Sequence, residues 1–232
     1  MRFLMPRLVP LIFIGLAAIM VWLHAETAAD SVRPLPKAAV DLPASPAGTM
    51  STVVVAGGCF WCEEGVFEQL KGVSSVVAGY AGGTADTANY QHYEESNHAE
   101  AVKITYDSSK ITFGELLRVL FTAGDPTTKD GQEPDYGHQY RMAIFYQDKE
   151  QQRVAEAYIH QLTEAKVYNA PITATVEAMP EGFFPAEEYH QRFVAKNPNH
   201  PYVCRWSIAK IKRIRAAFPD EVKDAAQTPP AK

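Results

Sequence analysis

Two cysteines, Cys59 and Cys62, stand in the segment Gly57-Gly58-Cys59-Phe60-Trp61-Cys62-Glu63-Glu64, where residue types and spacing favour sulfur chemistry. A thiolate is a strong nucleophile, and a second thiol three residues away is able to close a disulfide with it. The two aromatic residues between the cysteines offer an apolar wall. The pattern predicts a nucleophilic cysteine with a redox partner, although many cysteines that follow a strand are small buried hydrophobic residues.

The elements on either side of Cys59 are predicted to place it at a helix N-terminus. The β-branched run 52–55 is typical of a short buried strand, and residues 63–70 have the apolar spacing of a helix. The two glycines between these elements permit a tight turn. Unpaired N–H groups and the positive end of the helix dipole favour a thiolate, so we expect the pKa of Cys59 to lie below its ordinary value of about 8.5.

The remaining elements alternate unevenly, which predicts an α+β or α/β domain with a mixed sheet. Strands are predicted over 73–80, 99–106, 140–146 and 172–178, and helices over 113–121, 148–166, 185–194 and 208–218. Polar loops are predicted over 84–97 and 124–138, and loops of this length are often functional.

The 232 residues divide into four segments. Residues 1–30 carry Arg2 and Arg7 before an uncharged apolar stretch, 8–25, which predicts a signal peptide or an N-terminal membrane anchor. Either reading places the protein outside the cytoplasm, in the periplasm or anchored and facing outward. The proline-rich stretch 31–50 is predicted to be a linker, 51–219 the folded domain, and 220–232 a disordered tail.

Charge and cysteine content exclude several classes of protein. Residues 51–232 hold 18 Lys and Arg against 24 Asp and Glu, a net charge of −6, which argues against nucleic-acid binding. Three cysteines are too few for a disulfide scaffold. A basic run on the last helix is predicted to be a solvated face, with docking to an acidic membrane or partner as the alternative: Lys210, Lys212, Arg213 and Arg215.

Four motifs occur in one order along the chain: Gly57-Gly58-Cys59-Phe60-Trp61, Gly79-Tyr80-Ala81-Gly82-Gly83, His98-Ala99-Glu100-Ala101-Val102, and Asp135-Tyr136-Gly137-His138-Gln139-Tyr140-Arg141. With these motifs the sequence resembles the peptide-methionine (S)-S-oxide reductases across residues 53–200. The resemblance implies a two-layer α+β fold of ferredoxin-like character. It also implies reduction of the S epimer of methionine sulfoxide, free or in oxidised proteins. We expect a monomer with no bound cofactor or metal, which depends on an external dithiol such as a thioredoxin-like protein.

The resemblance assigns roles by position. They are the nucleophile Cys59, the acid Glu100, hydroxyls on the sulfoxide oxygen from Tyr90 and Tyr140, a supporting carboxylate Asp135, and a methyl pocket of Phe60 and Trp61. We expect His98 to be structural, and Tyr93, Phe183 and Phe184 to pack or to line the pocket rim.

The chemistry is consistent with these roles. A sulfoxide sulfur accepts a nucleophile once its oxygen is protonated, and thiolate attack then yields a cysteine sulfenic acid and a thioether. Glu100 must have a raised pKa, through burial beside aromatic rings, to donate a proton at neutral pH. Taken alone, Glu100 would otherwise be an exposed strand carboxylate.

The sulfenic acid must be resolved, and two cysteines are candidates. Cys62 is predicted to close a disulfide directly, and many members of the family carry glycine there. Cys204, in the segment 198–206, is the alternative, either as a resolving thiol or as a later relay. Two rival functions stay open, a thioredoxin-like disulfide exchanger that uses only the C-x-x-C motif and a metal-binding module.

Overall fold

The computed structural model describes residues 35–224. Eight strands and five helices form this domain. The strands are β1 (Met50–Gly57), β2 (Val73–Ala81), β3 (Ala99–Asp107), β4 (Gly131–Gln132), β5 (Asp135–Tyr136), β6 (Met142–Tyr146), β7 (Thr175–Ala178) and β8 (Phe183–Pro185). The helices are α1 (Phe60–Phe67), α2 (Phe113–Ala123), α3 (Lys149–Glu164), α4 (Phe193–Lys196) and α5 (Ile208–Ala217).

Six strands form one mixed sheet in the order β7-β6-β1-β3-β2-β8. Neighbouring strands are antiparallel except β6 and β7, which are parallel. The short strands β4 and β5 form a separate hairpin. The prediction of an α+β fold with a mixed sheet is therefore confirmed.

The alternation of side chains along β3 separates the two faces of the sheet. Ala99 and Ala101 lie in a cluster of small buried residues on one face, with Val54, Ala56 and Phe145 from neighbouring strands. Glu100 points to the opposite face, where α1 packs against β2 and β3. The strand period thus directs one carboxyl group toward the helix that begins just after Cys59.

Gly79 of β2 is required by the approach of β8. An added Cβ would lie 2.3 Å from the backbone oxygen of Phe184 and 2.4 Å from the ring of Phe183. We expect Gly79→Ala to lower the free energy of unfolding by about 1–3 kcal/mol, because a backbone atom cannot move aside as a flexible side chain can. Urea denaturation measures this. The exposed Ser75→Ala in the same strand is the control, and equal midpoints for the two variants would contradict the steric argument.

Part of the predicted linker packs on the domain. The carbonyl of Pro36 accepts a hydrogen bond from Tyr158 of α3 at 2.9 Å. The carboxylate of Asp41 accepts from Thr112 and from the backbone N–H of Gly114, at 2.5 and 2.9 Å. The helix dipole stabilises an anion at a helix N-terminus. The contact of Asp41 with the start of α2 therefore orders this segment. Its proline content does not reveal such a contact.

The C-terminal elements differ from the prediction in several ways. Residues 185–194 do not form one helix: Pro185 ends an edge strand on β2, residues 186–192 hold no helix, and α4 begins only at Phe193. Arg192, with φ of 54°, marks a break before α4. At the end of the chain, Val222 forms a β-bridge with Leu70, so the start of the predicted disordered tail is ordered. The predicted signal or anchor, residues 1–30, and residues 225–232 lie outside the described part of the chain.

The basic run of α5 is a solvated face only in part, because Lys212 and Arg213 are exposed whereas Lys210 and Arg215 are partly buried. Lys210 has only 13% of its side chain exposed and pairs with Glu63, while Arg215 donates to Gln69. Arg213 donates to the carbonyl of Ala123. These partners come from distant elements, so sequence spacing alone does not predict them. Within residues 35–224, no helix is long and apolar enough to cross a membrane.

Candidate active site

Cys59 lies between β1 and α1, as the sequence predicts. It is the residue that precedes the helix, and its carbonyl accepts from the N–H groups of Cys62 and Glu63 at 3.0 and 3.3 Å. Gly58 has φ of 101°, a conformation that favours glycine. The turn buries the thiol, because only 8% of Cys59 is exposed.

The ionisation of Cys59 differs from the expectation. Burial raises the pKa of Cys59 well above its ordinary value, and a hydrogen bond with Cys62 adds to this effect. The same hydrogen bond, received from Cys59, lowers the pKa of Cys62 to about 6. The removal of water from the thiol outweighs the short helix dipole. These directions favour a thiolate at Cys62 over one at Cys59, with the Cys59 thiol as the hydrogen-bond donor.

Glu100 is held beside Cys59. One carboxyl oxygen accepts from the backbone N–H of Phe60 at 3.0 Å, and the other accepts from the hydroxyl of Tyr93 at 3.1 Å. Burial raises the pKa of Glu100 to about 8, and the charges of Asp135 and Cys62 act in the same direction. Burial therefore favours the protonated form of Glu100, which is the form that a proton donor needs.

Three tyrosines surround Glu100. Tyr93 is almost fully buried and donates to the carboxyl group, whereas the sequence predicts that it packs or lines the pocket rim. The side chains of Tyr140 and Tyr93 are hydrogen-bonded, and burial followed by the charge of Glu100 raises the pKa of Tyr140. Tyr90 is 43% exposed, and its ring stacks on Tyr93 with centroids 5.7 Å apart. The structure thus brings Tyr93 and Tyr140 together beside Glu100 and stacks Tyr90 on Tyr93.

Asp135 reaches the cysteines through Tyr202, which the sequence analysis misses. The hydroxyl of Tyr202 donates to Asp135 and lies 3.8 Å from the sulfur of Cys62. Ser207 Oγ lies 3.2 Å from the same sulfur. Burial raises the pKa of Asp135. The signal in the sequence is weak, because Tyr202 and Ser207 lie 140 and 145 residues from Cys62.

A π-helical segment, Val203–Ser207, brings these two groups to one thiol. In an α-helix, residues five apart differ by about 140° around the axis, since each residue turns about 100°. The wider turn, with its i→i+5 hydrogen bonds, places Tyr202 and Ser207 on the same side. Single π-turns of this kind are frequent at functional sites.

The aromatic residues after Cys59 form a fixed wall. Phe60 is 1% exposed and packs on Tyr80 and His190, with centroids 6.0 and 4.9 Å away. Trp61 stacks on Phe193 at 3.7 Å, and its indole N–H donates to His190 at 3.1 Å. Both rings are therefore held in place by their neighbours in the segment that follows Cys59.

His98 has the structural role that the sequence predicts. Its Nδ1 accepts from the N–H of Gly83 at 3.2 Å, and its Nε2 lies 2.9 Å from the carbonyl of Thr84. Because the carbonyl needs a donor, these two contacts fix the neutral tautomer with its proton on Nε2. Burial lowers the pKa of His98 in keeping with this neutral form.

Cys204 lies apart from this arrangement. Its thiol is exposed and donates to the carbonyl of Pro198 at 3.3 Å. Cys62, by contrast, is buried and shares a hydrogen bond with Cys59. In the described residues, no group of three or more His, Cys, Asp and Glu side chains is arranged to hold a metal ion.

Comparisons with known proteins agree with this geometry. The family model described as peptide methionine sulfoxide reductase matches residues 51–222. Peptide methionine sulfoxide reductase MsrA 2 of Mesorhizobium japonicum is 46% identical over 171 residues, covering 72% of this chain and 87% of that protein. MsrA of Natronomonas pharaonis is 43% identical over 174 residues, covering 74% and 97%.

Solved structures show the same fold. Methionine sulfoxide reductase A of Corynebacterium diphtheriae superposes with a TM-score of 0.57 at 30% identity, covering 73% of this chain and 85% of that one. Reduced Mxr1 from Saccharomyces cerevisiae gives a TM-score of 0.58 at 26% identity, covering 68% and 91%.

Proposed function

Because this chain belongs to the peptide methionine sulfoxide reductase family, we propose that Cys59 attacks the sulfoxide sulfur and that Cys62 then closes a disulfide. The enzyme is a peptide-methionine (S)-S-oxide reductase, which reduces methionine sulfoxide in the repair of oxidised proteins. The observation that supports the route most strongly is the meeting of two thiols with a buried carboxylic acid.

Proton transfers prepare the attack. Glu100 gives its proton to the sulfoxide oxygen, while Tyr140 and Tyr90 donate hydrogen bonds to that oxygen. The Cys59 proton passes along its hydrogen bond to Cys62 as the sulfur–sulfur bond forms. Collapse of this adduct transfers the oxygen to Cys59 as a sulfenic acid and releases the thioether.

Substrate selection follows from the rigid aromatic wall. The methyl group of the sulfoxide lies against Phe60 and Trp61, and its oxygen lies toward Glu100. Only one epimer presents its sulfur to Cys59 when methyl and oxygen are fixed in this way. Asp135, through its hydrogen bond from Tyr202, supports the orientation of the site.

An epimer assay tests this function. The purified protein, supplied with dithiothreitol, is given the separated S and R sulfoxides of an N-blocked methionine, and the products are separated by chromatography. We expect reduction of the S sulfoxide and no measurable reduction of the R sulfoxide. Equal rates for the two epimers would contradict the assigned pocket.

The resolving cysteine is tested by a matched pair of variants. With a thioredoxin as reductant, Cys62→Ser is expected to lower turnover more than about tenfold, because the buried sulfenic acid has lost its neighbouring thiol. Cys204→Ser, which changes an exposed thiol, is expected to stay within about twofold of the wild type. The opposite ranking would assign resolution to Cys204.

Mass spectrometry identifies the disulfide directly. No Lys or Arg lies between residues 38 and 70, so trypsin releases Cys59 and Cys62 together in the peptide 38–71. After one equivalent of substrate, we expect this peptide to be two hydrogens lighter and resistant to alkylation, with Cys204 still alkylated. A peptide joined to Cys204 would overturn the assignment.

Recycling and location complete the proposal. An external dithiol, such as a thioredoxin-like protein, reduces the disulfide. The enzyme works as a monomer, which light scattering will test.

The basic and then apolar stretch of residues 1–30 supports export to the periplasm or anchoring with the domain outside the cytoplasm. Cell fractionation with protease protection tests the location.

The order of elements β1-α1-β2-β3-α2-β6 supports describing the fold as ferredoxin-like.

A further inference from the structure

Lys210 of α5 lies over the turn that carries the two cysteines. Its Nζ is 3.4 Å from the carbonyl oxygen of Gly57 and 3.7 Å from Oε1 of Glu63. A Cβ added to Gly58 would lie 3.6 Å from the same Nζ. A long cationic side chain is therefore held against the backbone immediately before Cys59.

Glu63 is an acid in an unusual place. Its side chain has no exposed surface, and neither carboxyl oxygen has a hydrogen-bond partner among the described residues. Gly57 makes room for it, because a Cβ there would lie 3.0 Å from the Glu63 carboxyl carbon. A buried carboxylate without hydrogen bonds is stable only beside a positive charge, and Lys210 supplies that charge.

The same cation acts on Cys62. Lys210 stabilises the negative charge of the Cys62 thiolate, and an ionised Cys62 disfavours ionisation of its neighbour Glu63. The titratable groups around Cys62 come from four parts of the chain: Cys59, Glu63, Glu100, Asp135, Tyr202 and Lys210. Lys210 is the cation among them.

We propose that Lys210 and Glu63 form a charge-compensating pair, in which Lys210 is opposed by the Cys62 thiolate in the reduced enzyme and by the Glu63 carboxylate in the disulfide form. This inference rests on the proposed role of Cys62 as the resolving thiol. Two anions in this buried space would be costly, and an unopposed cation would be costly too. One negative charge therefore moves from Cys62 to Glu63 as the disulfide closes.

The exchange balances the reaction. The Cys59 thiol, the Cys62 thiolate, protonated Glu63 and the sulfoxide become the Cys59–Cys62 disulfide, ionised Glu63, the thioether and water. The two sulfurs of the enzyme are oxidised and the substrate sulfur is reduced. The water takes the substrate oxygen and two protons, one from Glu100 and one from Cys59 by way of Cys62. The proton that Glu63 releases replaces, by way of solvent, the one that Glu100 gave. The net charge is the same before and after.

The ionisation of Glu63 is consistent with this exchange. Burial raises the pKa of Glu63 to about 7, while the nearby Lys210 acts in the opposite direction. The carboxyl group is therefore poised to change state near neutral pH when Cys62 loses its charge. Lys210 also lines a surface cleft of about 380 Å³.

The first test measures the pKa of Cys62 without any turnover. In a Cys59→Ser/Cys204→Ser background, Cys62 is the single thiol, and serine retains a hydroxyl donor at position 59. The pH dependence of its alkylation rate then reports its pKa. We expect Lys210→Met to raise that pKa by about one unit or more, Lys210→Arg to restore it, and Glu63→Gln to lower it by about half a unit.

A double variant guards against loss of folding. Glu63→Gln/Lys210→Met removes both charges, so it leaves neither partner as an unpaired buried ion. We expect its Cys62 pKa to be raised as in Lys210→Met alone. An unchanged Cys62 pKa in both methionine variants would overturn the proposal. A higher Cys62 pKa in Glu63→Gln would also overturn it, because the two acids would then not compete for one cation.

The second test observes Glu63 itself. Infrared difference spectra of the full-length enzyme, before and after one equivalent of substrate, should show that the band of a protonated carboxylic acid disappears. The Glu63→Gln variant should not show this change. An identical spectrum for the variant would refute the charge transfer. If the disulfide instead involves Cys204, peptide mass spectrometry reveals that failure separately, while the alkylation result stands by itself.

Discussion

Replacing Cys59 by serine is expected to lower the rate of S-sulfoxide reduction at least about 10³-fold, to the background of the uncatalysed reaction. Serine has nearly the same size, so the turn between β1 and α1 is preserved. Its hydroxyl does not ionise near neutral pH, and it cannot form a sulfenic acid. The measurement is methionine release from the S sulfoxide with dithiothreitol as reductant, followed by chromatography.

The control for this variant is Cys204→Ser, which removes the exposed thiol and leaves the buried pair intact. Circular dichroism and the thermal midpoint should match the wild type for both variants. Turnover by Cys59→Ser above the uncatalysed background would show that another group attacks the sulfoxide. In that case the nucleophile would have to be sought at Cys62.

Replacing Glu100 by glutamine is expected to lower the rate by about 10²–10⁴-fold. Glutamine fits the same buried space and still accepts a hydrogen bond, but it has no acidic proton for the sulfoxide oxygen. Burial raises the pKa of Glu100 to about 8, so the wild-type rate should fall as the pH rises through that value and the proton is lost. Glu100→Gln should lack this alkaline decline.

Glu64→Gln is the matched control, because Glu64 is also buried and burial raises its pKa to about 7. We expect it to retain the alkaline decline and to lose less than about threefold in rate. The Glu100 variant also separates two functions, since a simple disulfide exchanger would keep its dithiol–disulfide activity in Glu100→Gln. An unaltered pH profile in Glu100→Gln would remove the carboxyl group from the proton-donating role.

Local patterns predicted the parts of the site that depend on neighbours in the chain. The β-branched run, the glycines and the apolar spacing placed Cys59 at the start of α1, and the resemblance to the family indicated Glu100. The structure joins them, because the strand period of β3 directs Glu100 toward the backbone N–H of Phe60. These features follow from short-range geometry and from ordered motifs.

The parts that were missed depend on contacts between distant segments. Tyr202 and Lys210 lie 140 or more residues from the cysteines that they influence. The pKa of Cys59 was predicted in the wrong direction, because the cost of burying a charge depends on packing that helix placement does not reveal. Tyr93 was predicted to pack or to line the pocket rim, and its hydrogen bond to Glu100 depends on the fold that brings the two side chains together.

The wide turn at Val203–Ser207 makes the length of the C-terminal segment as informative as its composition. Deleting one amino acid there and restoring regular α-helical winding would leave Tyr202 and Ser207 four residues apart, about 40° around the axis, so both would still face Cys62. Regular winding without the deletion would separate them by about 140°. In comparing related genes, a one-codon gap at this point therefore marks loss of the wide turn rather than loss of either group from the thiol.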